Sequence, residues 1–350
     1  MTLTRSTVLT AAARCRVADG TAPRLQRIVD YPALLAEAWG QHLAPRDASA
    51  PTVISTFAGC GGSSLGYSMA GFHELLAVEW EQNAADTFRL NFPHVPLYHG
   101  DIAKLSVEEC LSRAGVAVGE LDVFDGSPPC QGFAMSGNRE VGDQRNQLFR
   151  EFVRLLSGLR PRAFVMENVS GMVKGDFKVI FAEILRTLKA CGYRVKARLL
   201  NAMYFGVPQS RERMIFVGVR DDLGVEPSHP SGWSHPVSAH DVHSHIRQIL
   251  LGGGTALLSW GSAKAVFPTI TKSAGTLSRT GRFSSGHYIR DDAGNERRPT
   301  LREFQSIGSF PTPFAFVGTR EDGVERIGNS VPPLLMRSIA RHVRTLVARG

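Results

Sequence analysis

The chain contains no apolar run approaching the roughly 18 residues that a membrane-spanning helix requires. It is also poor in paired cysteine. Cys15, Cys60, Cys110, Cys130 and Cys191 are odd in number and scattered, and none forms a CxxC. Neither a disulfide framework nor a zinc cage is indicated, and the usage fits a reducing compartment. The first stretch, Met1 to Arg16, has arginines and no acid but lacks an apolar h-region and a clear cleavage site. A targeting segment is therefore not expected. No internal repeat is visible.

What is present is an ordinary globular balance of 350 residues, 43% hydrophobic and 21% charged. That is long enough for one large core and a smaller second lobe. Lys+Arg 40 against Asp+Glu 32 gives a net charge of +8. A basic surface favours polyanions, although charge alone is a statement about solubility and steering. The basic residues are mostly arginine, whose planar fork suits phosphate and base edges; codon usage in a GC-rich genome would give the same bias.

Residues 1–50 read as an appendage with one helix, Tyr31 to Leu43, closed by the Pro45–Pro51 segment. A β-branched run, Thr52 to Phe57, then ends in the glycine cluster Ala58-Gly-Cys-Gly-Gly62, followed by a helical pattern to Met69 and a strand at Leu75–Val78. Strand, glycine turn, helix and strand make one βαβ unit. The alternation continues to a last strand, Met214 to Val219, which predicts a doubly wound, mostly parallel α/β sheet over 51–222. Residues 223–297 are rich in Gly, Ser, Pro and His and predict a small irregular lobe. Regular structure returns over 298–350, ending in a helix from Pro333 to Ala348.

Four constellations carry chemistry. The glycine turn follows the first strand and opens a helix, where open α/β sheets bind nucleotide-like ligands. Glu79 ends the second strand, with the flat Trp80 beside it, and Asp101 ends the third. Acids there suit ribose hydroxyls and an adenine amino group, although either acid could equally cap a helix or face solvent. No GK[ST] follows the glycines, so a P-loop is not expected; S-adenosylmethionine, which lacks phosphates, fits. Second, Gly126-Ser-Pro-Pro-Cys-Gln-Gly-Phe133 holds Cys130 in a proline-bounded turn after the fourth strand, which favours a nucleophile over a core cysteine. Third, Val165-Met-Glu-Asn-Val169 aims Glu167 at the same crevice. Fourth, in Gln209-Ser-Arg-Glu-Arg213, alternation predicts Arg211 and Arg213 on one face; alone, such a pair could be solvated.

Phe57-Ala-Gly-Cys-Gly-Gly62, Pro128-Pro-Cys-Gln131, Glu167-Asn-Val169, Gln209-x-Arg-x-Arg213 and Arg326-Ile-Gly-Asn-Ser-Val331 resemble, in order, the motif set of the DNA cytosine-5 methyltransferases. Arg298-Pro-Thr-Leu-Arg-Glu-Phe-Gln305 resembles the family's motif after its variable region, and the likeness runs from about 52 to 345. The resemblance implies a Rossmann-like methyltransferase sheet with a small target-recognition lobe. It makes Cys130 the covalent nucleophile toward C6 of cytosine, Glu167 the partner of ring N3 and the amino group, and Arg213 the contact to the ring carbonyl, with Arg211 holding the site. A duplex hides C6, so the base must be flipped out. Gln131, Ser136 and Arg145 fall in the family's mobile loop over the DNA. For S-adenosylmethionine, the resemblance implies Phe57, Gly59, Cys60 and Gly61 around the methionine and adenine, Glu79 on the ribose and Trp80 near adenine. Asp101 and Ile102 take the adenine edge, and Pro129, Leu148, Asn329 and Val331 complete the pocket. No metal is implied. The partners implied are double-stranded DNA and, left open, a cognate restriction endonuclease, for a monomer in the cytoplasm at the nucleoid.

Two departures stand out. Ser55 occupies a position where the family often has an acid, which bears on contacts with the methionine end. The variable lobe is short, so one target sequence is expected. Its readers are placed at Arg279 and Arg282 in Ser278-Arg-Thr-Gly-Arg-Phe283 and at Arg290, since arginine pairs well with guanine; contact with phosphate alone is an equal alternative. His229, His235, His240, His243 and His245 cluster irregularly with no nearby cysteine, which favours an exposed polar loop over zinc. Two other functions bear weighing. The tRNA-methylating branch carries a Cys-Phe-Thr signature that is absent here, and an inactive DNA-binding regulator would be expected to lose the Pro-Cys or Glu-Asn pair.

Overall fold

A computed structural model describes residues 30–129, 144–169, 177–234, 236–245, 248–253, 256–262, 266–271 and 287–348. Its first helix, α1 (Tyr31–Leu43), starts where the Asp30 side chain accepts from Ala33 N at 3.1 Å and where a proline sits in the first turn. Tyr31, Leu35 and Ala38, spaced by four and three, are its buried face.

The core is built from β1 (Thr52–Thr56), α2 (Gly62–Met69), β2 (His73–Glu79), α3 (Gln82–Asn91), β3 (Leu97–His99), α4 (Val107–Ala114), β4 (Val123–Gly126), α5 (Gln144–Leu159), β5 (Ala163–Val169), α6 (Phe177–Ala190), β6 (Tyr193–Asn201), β7 (Gln209–Ser210) and β8 (Glu212–Arg220). Seven strands form one sheet in the order β3-β2-β1-β4-β5-β8-β6. All neighbours pair in parallel except β8, which runs antiparallel to both β5 and β6. The last predicted strand therefore does not extend the series at an edge. It inserts between two earlier strands by hairpin return from β6.

Alternation along each strand separates two cores. Val53, Val123, Val165, Ile215 and Val217 face one cluster with Tyr31, Leu65 and Leu335. Ile54, Phe124, Phe164, Met166 and Phe216 face the other, with Phe152 and Ile184.

Beyond β8 come α7 (Ala239–Val242), β9 (Gln248–Gly253), β10 (Ala256–Ser262), β11 (Phe267–Pro268), β12 (His287–Arg290) and β13 (Glu296–Arg297). Here the structure is more regular than composition suggested, since β10-β9-β12-β13 form a four-stranded antiparallel sheet. The chain then returns through α8 (Leu301–Ile307), α9 (Arg320–Asn329) and α10 (Pro333–Val347). Helix α10 crosses α2 closely at Gly66, where a Cβ would lie 2.5 Å from Met336 Cβ.

Candidate active site and cofactor cleft

The turn from β1 into α2 is shaped by backbone that side chains resist. Phe57 has φ +55°, and Gly61, the residue before α2, has φ +98°. A Cβ on Gly61 would meet Phe92 at 2.3 Å, so only glycine fits. Glu79 holds this turn: its carboxylate accepts from Gly59 N at 2.7 Å, Trp80 N at 2.9 Å and Glu81 N at 2.8 Å. Three of roughly four lone-pair directions are thereby occupied, which leaves about one for a ligand.

The turn forms one wall of a cleft of about 270 Å³, just below the usual range for small-ligand sites. Phe57, Gly59, Cys60, Glu79 and Trp80 line it from the sheet side; Asn329, Ser330 and Val331 line it from the returning chain. The fit to an adenosyl ligand rests on two features. A Cβ on Gly59 would meet nothing within 4 Å, so the backbone faces open space. Trp80 is 77% exposed, presenting an uncovered aromatic face. The two walls are joined by Cys60 Sγ and Ser330 Oγ at 3.2 Å, and burial pushes the Cys60 thiol up to about 11, unsuited to nucleophilic work. Arg326 pairs with Glu81 across the same seam; Ser63, Ser127 and Arg326 also line the cleft and were not foreseen as site residues.

Not every expected cofactor residue lines this space. Asp101 caps the 3-10 turn at Ile102–Lys104, accepting from Ala103 N at 3.0 Å, and Ile102 is buried. Gly100 N donates to Glu79 O at 2.9 Å, which keeps Asp101 close to the end of β2. Gly61, Pro129 and Leu148 lie outside the lining.

At the C-terminal ends of β4 and β5, Glu167 and Arg213 form an ion pair at 2.6 Å, with side chains 11% and 14% exposed. Asn168 donates to Pro128 O at 2.9 Å and accepts from Val169 N at 2.8 Å, so the end of β5 grips the segment entering the Pro-Pro-Cys motif. Glu212 is exposed between the two inward-facing arginines, but Arg211 takes partners of its own. Its N–H donates to Gln209 O at 2.9 Å, a tight turn that interrupts the strand between β7 and β8. The side chain, only 2% exposed, runs inward to Ile270 O at 2.8 Å and Gly328 O at 2.7 Å. Burial, with Arg213 nearby, pushes it down to about 9, so it remains charged at neutral pH.

Cys130, Gln131, Ser136, Arg279 and Arg282 lie outside the described residues. Arg145 falls in the first turn of α5. Arg290, on β12, pairs with Glu296 of β13. Among the histidines, His229 Nε2 meets Ile215 O at 2.9 Å, His243 meets Ser306 Oγ at 2.6 Å and His245 meets Glu303 at 2.6 Å. Among the described residues there is no group of three or more side chains able to hold a metal ion.

A mostly parallel sheet with one antiparallel insertion, and an adenosyl-type cleft at its C-terminal edge, define a Rossmann-like methyltransferase. Residues 51–252 and 255–345 match the family of C-5 cytosine-specific DNA methylases, and the chain belongs to that family. It is 34% identical over 325 residues to the type II methyltransferase M1.HphI of Haemophilus parahaemolyticus, covering 83% of this chain and 86% of the relative. It is 29% identical to M.NgoPII of Neisseria gonorrhoeae, covering 88% and 100%. In fold it is similar to a candidate DNA modification methyltransferase encoded in an Escherichia coli prophage, with TM-score 0.65, 24% identity and coverage of 85% and 100%. The chain is accordingly a DNA cytosine-5 methyltransferase.

Proposed function

We propose that the chain transfers a methyl group from S-adenosylmethionine to C5 of a cytosine flipped out of double-stranded DNA, through a covalent bond between Cys130 and C6. The observation that carries this reading is the Glu167–Arg213 pair held beside Pro128 by Asn168. Cys130 follows Pro128 by two residues, so covalent geometry keeps their Cα atoms within about 7 Å.

The chemistry divides among the chain's own residues. The Cys130 thiolate adds to C6, and the C5–C6 π pair moves onto C5. Glu167 holds the ring N3 and amino group, and Arg213 the ring carbonyl, which places a donor and a charge where electron density builds. When bound, S-adenosylmethionine would supply an electrophilic sulfonium methyl for the C5 pair to attack, the S–CH3 bond pair leaving on the sulfur of S-adenosylhomocysteine. Water takes the C5 proton, the C5–C6 double bond re-forms, and Cys130 leaves as thiolate. Glu79 and Trp80 hold the adenosine end, with Asp101 and Ile102 near adenine and Asn329 and Val331 closing the pocket, while Pro129 and Leu148 stand outside its lining.

Gln131, Ser136 and Arg145 are assigned to the DNA-closing loop, and Arg279, Arg282 and Arg290 to target contact. In this reading 51–222 with 298–350 is the catalytic body, 223–297 the target lobe and 1–50 an appendage. The chain acts as a monomer on cytoplasmic, nucleoid DNA, and a cognate restriction endonuclease is its partner, as the type II names of its relatives suggest.

The test is transfer of labelled methyl from S-adenosylmethionine to DNA from a methylation-free host, with tRNA in parallel. The wild type should label DNA and Cys130→Ala should not. A duplex containing 5-fluorocytosine should trap the wild type covalently. Labelling of tRNA alone, or transfer by Cys130→Ala at the wild-type rate, would overturn the reading.

A further inference from the structure

Arg211 is an expensive residue to keep where it is. It is one of the largest fully buried side chains among the described residues, and its guanidinium donates to two backbone carbonyls. Those carbonyls belong to segments that chain order separates widely. Gly328 directly precedes Asn329, Ser330 and Val331, which form one wall of the cofactor cleft. Ile270 lies in the 266–271 segment, which connects the two parts of the target lobe. Phe267 of this segment packs its ring edge-on against Phe304 of α8, and the segment's hydrogen bonds run to Arg211's own neighbours. β11 pairs with β7, Ile270 N donates to Gln209 Oε1 at 3.0 Å, and Thr269 Oγ1 donates to Ser210 O at 2.6 Å. Phe267 N donates to Pro208 O at 3.0 Å. Two residues on, Arg213 reaches Glu167. One guanidinium therefore touches the residue that leads into the cofactor wall and the lobe's connecting segment, beside the catalytic pair.

We infer that Arg211 is a positioning residue that couples cofactor binding to the placement of the target lobe. The inference rests on the proposed reading that the turn at 57–62 and the wall at 329–331 hold S-adenosylmethionine. Ordering of residues 329–331 around a ligand fixes Gly328 O, and the rigid fork of Arg211 relays that restraint to Ile270 O. Lysine keeps the charge but cannot bridge both carbonyls in a plane. A buried carbonyl left without its donor makes the relay fail rather than slacken. Coupling along this path is open to direct measurement.

Hydrogen exchange followed by mass spectrometry provides that measurement on the full chain, with S-adenosylhomocysteine as probe and no DNA. At a ligand concentration of about 100 times Kd, openings linked to binding can slow by up to about 100-fold. In the wild type, peptides covering 57–62 and 327–331 should slow strongly, and the peptide covering 266–271, which does not line the cleft, should slow by at least about threefold. In Arg211→Lys the first two should still slow and 266–271 should not respond. Wild-type protection at 57–62 with none at 266–271 overturns the coupling while leaving the cofactor reading intact. Equal protection of 266–271 in wild type and Arg211→Lys overturns the role of Arg211. Absence of protection at 57–62 overturns the cofactor reading itself, and the coupling with it. The wild-type comparison needs no variant, so a folding defect in Arg211→Lys cannot shelter the inference.

Discussion

Replacing Glu74 by glutamine isolates a charge that the fold holds at a cost. Glu74 sits on β2 beneath α2, 6% exposed, where Ser64 Oγ donates to Oε1 at 2.8 Å and the Ser55 hydroxyl also lies beside the carboxylate. Burial raises its carboxyl from 4.5 to about 7. The folded chain thus holds this proton more tightly than the unfolded chain does. Stability is unpenalised below pH 4.5 and falls as pH rises through about 7. The shift corresponds to about 3 kcal/mol, at about 1.36 kcal/mol per decade. Asp125, on β4, adds in the same direction: its carboxyl is pushed well above the usual range by burial first, and Glu74 is among the charges that raise it further. Glu74→Gln removes the titration while keeping an acceptor for Ser64. Relative to wild type it should be equal or weaker by about 1 kcal/mol at pH 5, through the less favourable amide. At pH 8 it should be more stable by about 2 kcal/mol, the titration penalty less that same loss. At roughly 2 °C per kcal/mol for a chain of this length, the difference in melting temperature should swing by about 5 °C between the two pH values. Thermal unfolding of both proteins at pH 5, 6, 7 and 8 reads the swing directly. A difference that stays constant across that range would refute the buried-charge argument, whatever its size.

Three further outcomes are expected. Arg213→Ala leaves Glu167 without its 2.6 Å partner and removes the donor assigned to the ring carbonyl, so kcat should fall by about 10²–10³-fold. Binding of S-adenosylhomocysteine, followed by calorimetry, should hold within about twofold, as expected for an interaction made in the transition state. In Gly62→Ala the new Cβ would stand 2.5 Å from Val331 O and 2.8 Å from Ser330 Cβ. Overpacking of about 1–2 kcal/mol at that wall should weaken S-adenosylhomocysteine roughly tenfold by calorimetry. Glu303 is the reverse of Glu74. Although burial opposes it, Arg297, Thr300 and His245 hold its carboxyl down to about 2, so its contribution is present above pH 4.5 and lost as pH falls toward 2. Glu303→Gln should cost about 2–3 kcal/mol in urea unfolding at pH 6 and about 1 kcal/mol at pH 3.

The sequence was most legible where structure is local. Helix α1 falls on its predicted bounds because its start signal, Asp30 followed by a first-turn proline, and its four-three apolar spacing are both short-range. The glycine turn, Glu79 at the end of β2 and Glu167 at the end of β5 are likewise where strand periodicity put them. The hairpin of β9 and β10 was missed because β9 ends in Gly252 and Gly253, a composition that reads as loop. Insertion of β8 between β5 and β6 leaves no mark in a pattern of alternation, which carries no register. What alternation could not show at Arg211 was its partners, Ile270 O and Gly328 O, which lie far along the chain.

The cofactor cleft shows what kind of information motif reading omits. Phe57 to Gly62 and Arg326 to Val331 were each recognisable, but nothing in either segment says that they face one another. The structure supplies the pairing through contacts between residues more than 200 apart: Cys60 with Ser330, Gly62 against Val331 O, and Glu81 with Arg326. Closure over such a separation costs chain entropy that no local propensity repays. It is stabilised instead by α10 lying against α2 at Gly66, where the absence of a side chain admits Met336. The returning helix is therefore a condition for the cleft rather than a neighbour of it. A substitution at the α2–α10 crossing should loosen the cleft without touching any residue that lines it.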